Sequence, residues 1–191
     1  MFLSLKDVSM SKVAHESEKE NKKDYHVSAL RRSFEAGHRP KYLVIVDETD
    51  ECQNAVFYAA RHSARTGANV VMLTVAEPPH NFEWVGVGEA LREEAREKAM
   101  ALLDKAATVA REAAGLEVEC LFREGSRVDE IKKLIAEDED IASLVLAAGL
   151  SKEGPGPLVS VLAGKSASHF LIPIVIVPGT LTTEELTAIT G

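Results

Sequence analysis

Two polar stretches of this 191-residue chain carry side chains that could do chemistry. The first is Val46, Asp47, Glu48 and Thr49, an acidic turn straight after an apolar run. The second runs from Ala148 to Pro157, with Gly149, Gly154 and Gly156 set among Ser151, Lys152, Pro155 and Pro157, and leads on to Gly164, Lys165 and Ser166. Glycine lets backbone N–H groups come close to an anion. The start of a helix adds unsatisfied donors and a partial positive charge, and Lys165 would add a full one. Residues of these types in this order suit a phosphate cradle. They suit a surface loop equally well, just as Asp47 suits an Asx turn or a helix cap, and composition leaves both readings open.

Better-known arrangements are excluded by spacing. A Walker-type phosphate loop needs glycine five positions before the Gly of Gly164-Lys165-Ser166, and Val159 stands there. A phospho-receiver site would need an aspartate ending the third strand and a lysine ending the fifth. Those places hold Phe122, Arg123 and Glu124, and Val177, Pro178 and Gly179. The run from Glu137 to Asp140 lacks the glycine and spacing of a calcium loop and reads as a solvated helix end. His62, His80 and His169 are too scattered for a metal site, and no Cys/His pair has ligand spacing. No nucleophile–base constellation announces itself, so no catalytic residue and no metal ligand is assigned.

The elements that must position the two stretches follow from hydrophobic period. Residues 42–46 form a continuous apolar run rich in β-branched side chains, as a strand buried on both faces requires. Cys52, Val56, Ala59, Ala60 and Ser63 recur at helical spacing until Gly67 stops the helix. A second strand covers 70–75, a long helix 89–114 closed by Gly115, a third strand 117–122, and a helix capped by Ser126, with Asp129 placed as in a capping box. The fourth strand is 141–148, a glycine–proline loop spans 149–157, a short helix starts near Lys165, and the fifth strand is 174–177. Thr182 and Glu185 have capping-box spacing for a small last helix in a C-terminal extension, 180–191. Strands alternating with helices, and strands without a polar face, predict an α/β fold. Its mainly parallel sheet carries helices on both sides, in three layers. In such sheets ligands bind beyond the carboxyl ends of the strands, where the strand order reverses.

Charge divides the chain at residue 40. Residues 1–39 hold eight basic and six acidic residues, a net of +2, against −10 in the remainder and −8 overall. This segment is polar, with little to bury, and is expected to be a flexible tail with transient helix around 27–34. Met10 is an alternative start. A net acidic chain argues against a nucleic-acid or anionic-membrane binder. Two cysteines, Cys52 and Cys120, make no disulfide framework and suit a reducing, cytoplasmic setting. No apolar run approaches a membrane span, and the first residues lack the basic start of a secretory signal.

The segment from Pro40 to Gly179 resembles the universal stress protein family. The residues that carry the resemblance are Tyr42 to Thr49, Val71 to Val75, and Arg123 to Gly125. The last block runs from Leu144 to Gly149 through Gly164 and Ser166 to Ile172 and Pro178. The nucleotide-binding branch of that family has the pattern Gly-x2-Gly-x9-Gly-[Ser/Thr]. Here Gly149 and Gly154 are separated by four residues, Gly154 and Gly164 by nine, and Lys165 stands where the hydroxyl residue usually does, with Ser166 one step later. The resemblance implies an adenine nucleotide α-hydrolase-like domain at 40–179 with sheet order 3-2-1-4-5. It also implies a ligand, ATP or another adenine nucleotide, with or without Mg2+.

The resemblance further implies that Asp47 accepts from the ribose hydroxyls. Val75 would hold the adenine edge by its backbone, and Ala148 and Gly149 would run along the ribose. Gly154, Gly164, Lys165 and Ser166 would meet the phosphates. Pro155 and Pro157 remove two donors that a phosphate nest would use. A homodimer through the fifth strand is implied too, an apolar sheet edge being open to pairing. Phe82, Trp84 and Val85 would pack on the sheet, or form a lid or subunit contact. With no general base aimed at a phosphate, hydrolysis would be slow at most. The alternative is the same fold with nucleotide binding lost, a homodimeric interaction module. An adenylating ligase is disfavoured because its Ser-Gly-Gly-x-Asp or His-Ile-Gly-His loop is replaced by Asp47 to Asp50.

Overall fold

The computed structural model describes residues 31–77, 87–149, 154–163, 170 and 172–191. The chain order is β1 (Lys41–Ile45), α1 (Cys52–Thr66), β2 (Asn69–Ala76), α2 (Val87–Ala114), β3 (Glu119–Glu124), α3 (Arg127–Glu137), β4 (Ile141–Ala148), α4 (Pro157–Ala163), β5 (Ile174–Pro178) and α5 (Thr183–Thr190). The strands form one sheet in the order β3-β2-β1-β4-β5. Every pairing is parallel, with Ile45 opposite Leu73 and Val44 opposite Val145.

Period-two alternation sends the apolar side chains of each central strand to opposite faces. Leu43 and Ile45 pack with Leu73, Leu144 and Leu146 under Ile131, Leu134 and Ile135 of α3 and Leu162 of α4. Val44 and Val46 pack with Met72 and Val145 against Val56 and Ala59 of α1, Leu103 and Ala106 of α2, and Leu186 of α5. Burial on both faces is what makes these strands read as unbroken apolar runs. The order reverses between β1 and β4, so their carboxyl ends, Ile45 and Ala148, open the crevice expected to hold a ligand.

Several boundaries have a legible cause. Gly67 ends α1 in the left-handed conformation at φ 72° and donates its N–H to Ser63 O, a geometry glycine adopts without steric cost. Thr182 and Glu185 close a reciprocal capping box at α5. The amide of Asn54 on α1 donates to the carbonyl of Leu181 at 2.9 Å, fixing the entry to α5.

The structure differs from sequence expectation in four places. The third strand sits two residues later, at 119–124. Residues 157–163 are a helix, α4, where a loop ends and no element follows in the sequence reading; Pro157 opens it, at the position where a missing N–H costs nothing. Ser126 has the extended N-cap backbone but makes no side-chain cap; Glu77 Oε1 instead accepts the N–H of Arg127 at 3.2 Å. Lastly, residues 31–39 do not hang free as part of a tail. Arg31 donates to the carbonyls of Ile135, Asp138 and Ile141, Ser33 is buried with its hydroxyl on Asp140 O, and His38 meets Asp140 at 2.7 Å. The last carbonyls of α3 have no partner within the helix, and Arg31 supplies one. The short helix expected near Lys165 lies outside the described residues.

Candidate functional site

Asp47 leaves the end of β1 where the chain turns toward α1. Its Oδ1 accepts from the Thr49 N–H at 3.1 Å and from the Thr49 hydroxyl at 2.6 Å. This is the Asx geometry expected of an acid two residues before a donor. The turn fixes the carboxylate and leaves its second oxygen without a protein partner among the described residues.

On the adjacent strand, Leu73 O accepts the Val46 N–H at 2.9 Å. Backbone groups along a strand alternate in direction, so Val75, two residues on, turns its N–H and C=O to the same side. There β1 has already ended. Thr74, between them, anchors its hydroxyl on Val46 O at 3.0 Å. Asp47 and Val75 thus face a single cleft of about 360 Å³, which Ala95, Lys98, Ala99 and Leu102 of α2 wall on one side and Arg127 and Pro157 close on another. Its size lies within the range usual for small-molecule pockets.

At the end of β4 the arrangement is tighter. Gly149 donates its N–H to Pro155 O at 3.0 Å, and Ala148 O accepts the Gly179 N–H at 3.0 Å. A Cβ on Gly149 would stand 2.8 Å from Glu51 Oε1, so an acid from the start of α1 lies directly over this glycine. Gly154 and Gly156 hold φ of 113° and 96°, which lets the loop double back. Between Asp47, Glu51 and residues 155–159 there remains a cavity of about 60 Å³. The structure therefore brings Asp47 and Val75 together, while Ala148, Gly149 and Gly154 line neither of these two cavities. Gly164, Lys165 and Ser166 lie outside the described residues, as do Phe82, Trp84 and Val85.

Two cleft residues escape the sequence reading. Arg127, the first residue of α3, lines both cavities and so stands at their boundary. The residue is half-buried and makes no ion pair among the described residues. A cation in the first turn opposes the helix dipole, and that misfit is the signal that could have found it. Lys98 is paired with Glu94 at 2.6 Å. Cys52 also lines the smaller cavity; its Sγ points to Ile45 O at 3.7 Å, and burial pushes its thiol up to about 11. Among the described residues no group of three or more His, Cys, Asp or Glu could hold a metal ion, and no helix is long and apolar enough to cross a membrane.

In this parallel 3-2-1-4-5 sheet an acid follows β1 and a glycine follows β4, and the family model for the universal stress protein family matches residues 39–178. The chain belongs to the universal stress protein family. Among solved structures, universal stress protein UspA from Lactobacillus plantarum aligns with a TM-score of 0.61 and 17% identity over 72% of this chain and 97% of that one. A universal stress protein from Archaeoglobus fulgidus aligns at 0.53 and 17% identity, covering 72% and 93%. A universal stress protein solved in complex with cAMP aligns at 0.51 and 21% identity, covering 72% and 96%. At these identities the likeness speaks for the fold. No curated protein matches the chain.

Proposed function

We propose that this member of the family binds an adenine nucleotide in the cleft between Asp47 and Val75, and acts through the resulting change in conformation or partner affinity. The observation that carries the reading is the shared cleft: a fixed carboxylate oxygen suited to a pair of ribose hydroxyls, beside strand-edge backbone groups suited to the adenine edge. Its position at the reversal of strand order is where α/β sheets take ligands, and a relative of the same fold was solved with cAMP. Among the described residues of the cleft none is aimed as a general base at a phosphate, and the reading includes at most slow hydrolysis. ATP is the nucleotide that the family resemblance favours, and Mg2+ would enter only as the counter-ion of its phosphates.

Calorimetric titration with ATP, AMP and adenosine tests this. Asp47→Ala weakens binding by about tenfold or more, the scale of hydrogen bonds to a charged group. A second reading, an interaction module of the same fold without nucleotide, is favoured by one observation: Pro155 and Glu51 already occupy the surroundings of Gly149. Indifference to millimolar adenine nucleotides would select it.

A further inference from the structure

Resting on that adenine-site reading, we infer that Thr74 is a positioning residue of this cleft. Its hydroxyl takes the carbonyl of Val46 and so leaves the N–H of Val75 free for the adenine edge. In a parallel ladder the bonds are evenly spaced. A residue that gives its N–H to one residue of the neighbouring strand therefore gives its C=O to the N–H two further along. Ile45 stands opposite Leu73, and Val46 donates its N–H to Leu73 O at 2.9 Å. One more step of the same ladder would bring the N–H of Val75 to Val46 O. That step is not taken. Val46 O accepts the Thr74 hydroxyl at 3.0 Å instead, and among the described residues the N–H and C=O of Val75 have no partner on the β1 side.

β2 is not simply fraying here. On its other side Val75 still stands opposite Arg123, and Ala76 O accepts the Gly125 N–H at 2.9 Å. The opening is confined to one side and one residue. Val46 and Thr74 are both buried, so the Val46 carbonyl calls for a donor. Period two puts the Thr74 side chain on the face of Met72, under α1 and α2, while the backbone edge of Val75 lies in the plane of the sheet. Thr74, Val75 and Asp47 line the same cleft. A free N–H and C=O on one strand residue match the ring acceptor N1 and the exocyclic amine of adenine. Valine at position 74 keeps the branched shape and removes the donor. The Val75 N–H then becomes the donor for Val46 O, the ladder grows by one bond, and the adenine edge loses its partner.

Titration of adenosine and of 1-deazaadenosine, which lacks the N1 acceptor, into wild type, Thr74→Val and Thr74→Ser decides the matter, together with Val75 amide exchange in the free proteins. Neither compound carries a phosphate, so no phosphate contact enters the comparison. The expected result is that wild type binds adenosine about tenfold or more tightly than 1-deazaadenosine. Thr74→Ser keeps this preference. Thr74→Val binds the two compounds alike, and its Val75 amide exchanges more slowly than in wild type. Equal affinity of wild type for the two compounds, or a preference undiminished in Thr74→Val, overturns the inference and leaves the adenine site standing. So does a Val75 amide already protected in free wild type, a result that needs no variant to fold. An equal loss for both compounds in Thr74→Val, with Val75 exchange unchanged, overturns it by making Thr74 a packing residue. Wild type that binds neither compound overturns the inference together with the function it rests on.

Discussion

At the scale of single residues, Asp47 does two things with one carboxylate. Oδ1 holds the turn through Thr49, and the residue lines the cleft. Asp47→Asn preserves an acceptor for the turn and removes the charge, so it keeps wild-type stability within about 0.5 kcal/mol while losing most of the ligand affinity that Asp47→Ala loses. Thermal melts and titrations on the two variants separate the roles. Cys52 gives a pH test of core burial. Its thiol ionises near pH 11 in the fold against an ordinary 9.0. An exposed thiol in the unfolded chain therefore releases its proton first as pH rises. Its contribution is intact below pH 9 and is lost through pH 11, on the order of 2–3 kcal/mol. Urea unfolding at pH 8 and pH 11 should show a smaller drop in Cys52→Ala than in wild type. The turn at Asp47 was legible because an acid straight after an apolar run, two residues before Thr49, suits an Asx turn. The place of Arg127 was not, because the cleft that it lines is built with β2 and α2, which the chain brings beside it only after folding.

At the scale of elements, local chemistry carried the strands and most helix ends. Residues 141–148 read as a strand from their apolar run, and Gly67 and Thr182 mark helix boundaries with conformations that depend on neighbours in sequence alone. Elements failed where a distant group decides. The Ser126 side chain makes no cap, and the N–H of Arg127 goes instead to Glu77, just past the end of β2. The helix at 157–163 hid behind Pro157, which punctuates loops and opens helices alike. The segment before β1 looked unattached because what holds it, the carbonyls ending α3 and beginning β4, lies about a hundred residues downstream. Arg31→Ala should lower stability by about 1–3 kcal/mol, the cost of leaving buried carbonyls without a charged donor. Hydrogen exchange should quicken at the turn from Glu137 to Ile141 before it does in the central strands.

For the whole molecule, the two sheet edges differ. β3 carries Glu119, Arg123 and Glu124, charges of the kind that discourage edge pairing; Arg123 is bound to Glu130 and Glu137. β5 is Ile174 to Pro178 without a charge, and Ile176 is 38% exposed. A symmetric homodimer through β5 is the expected assembly. Light scattering at micromolar concentration should return twice the chain mass for wild type and one chain mass for Ile176→Lys, and a wild-type monomer would remove the dimer from the account. The fold as a whole was readable because a parallel sheet buried on both faces leaves its mark on every strand. Of the candidate site, the neighbourhood of Asp47 and Val75 follows from strand order, whereas the N–H of Gly149 turned back on Pro155 does not.

The cleft between β1 and β2 is expected to take adenine. Amide NMR shifts during an AMP titration test it most directly. Saturable shifts centred on Val75, Asp47, Thr49 and Arg127 are the expected result. A spectrum unchanged to millimolar AMP, ATP and adenosine, or shifts confined to residues away from this cleft, would contradict it.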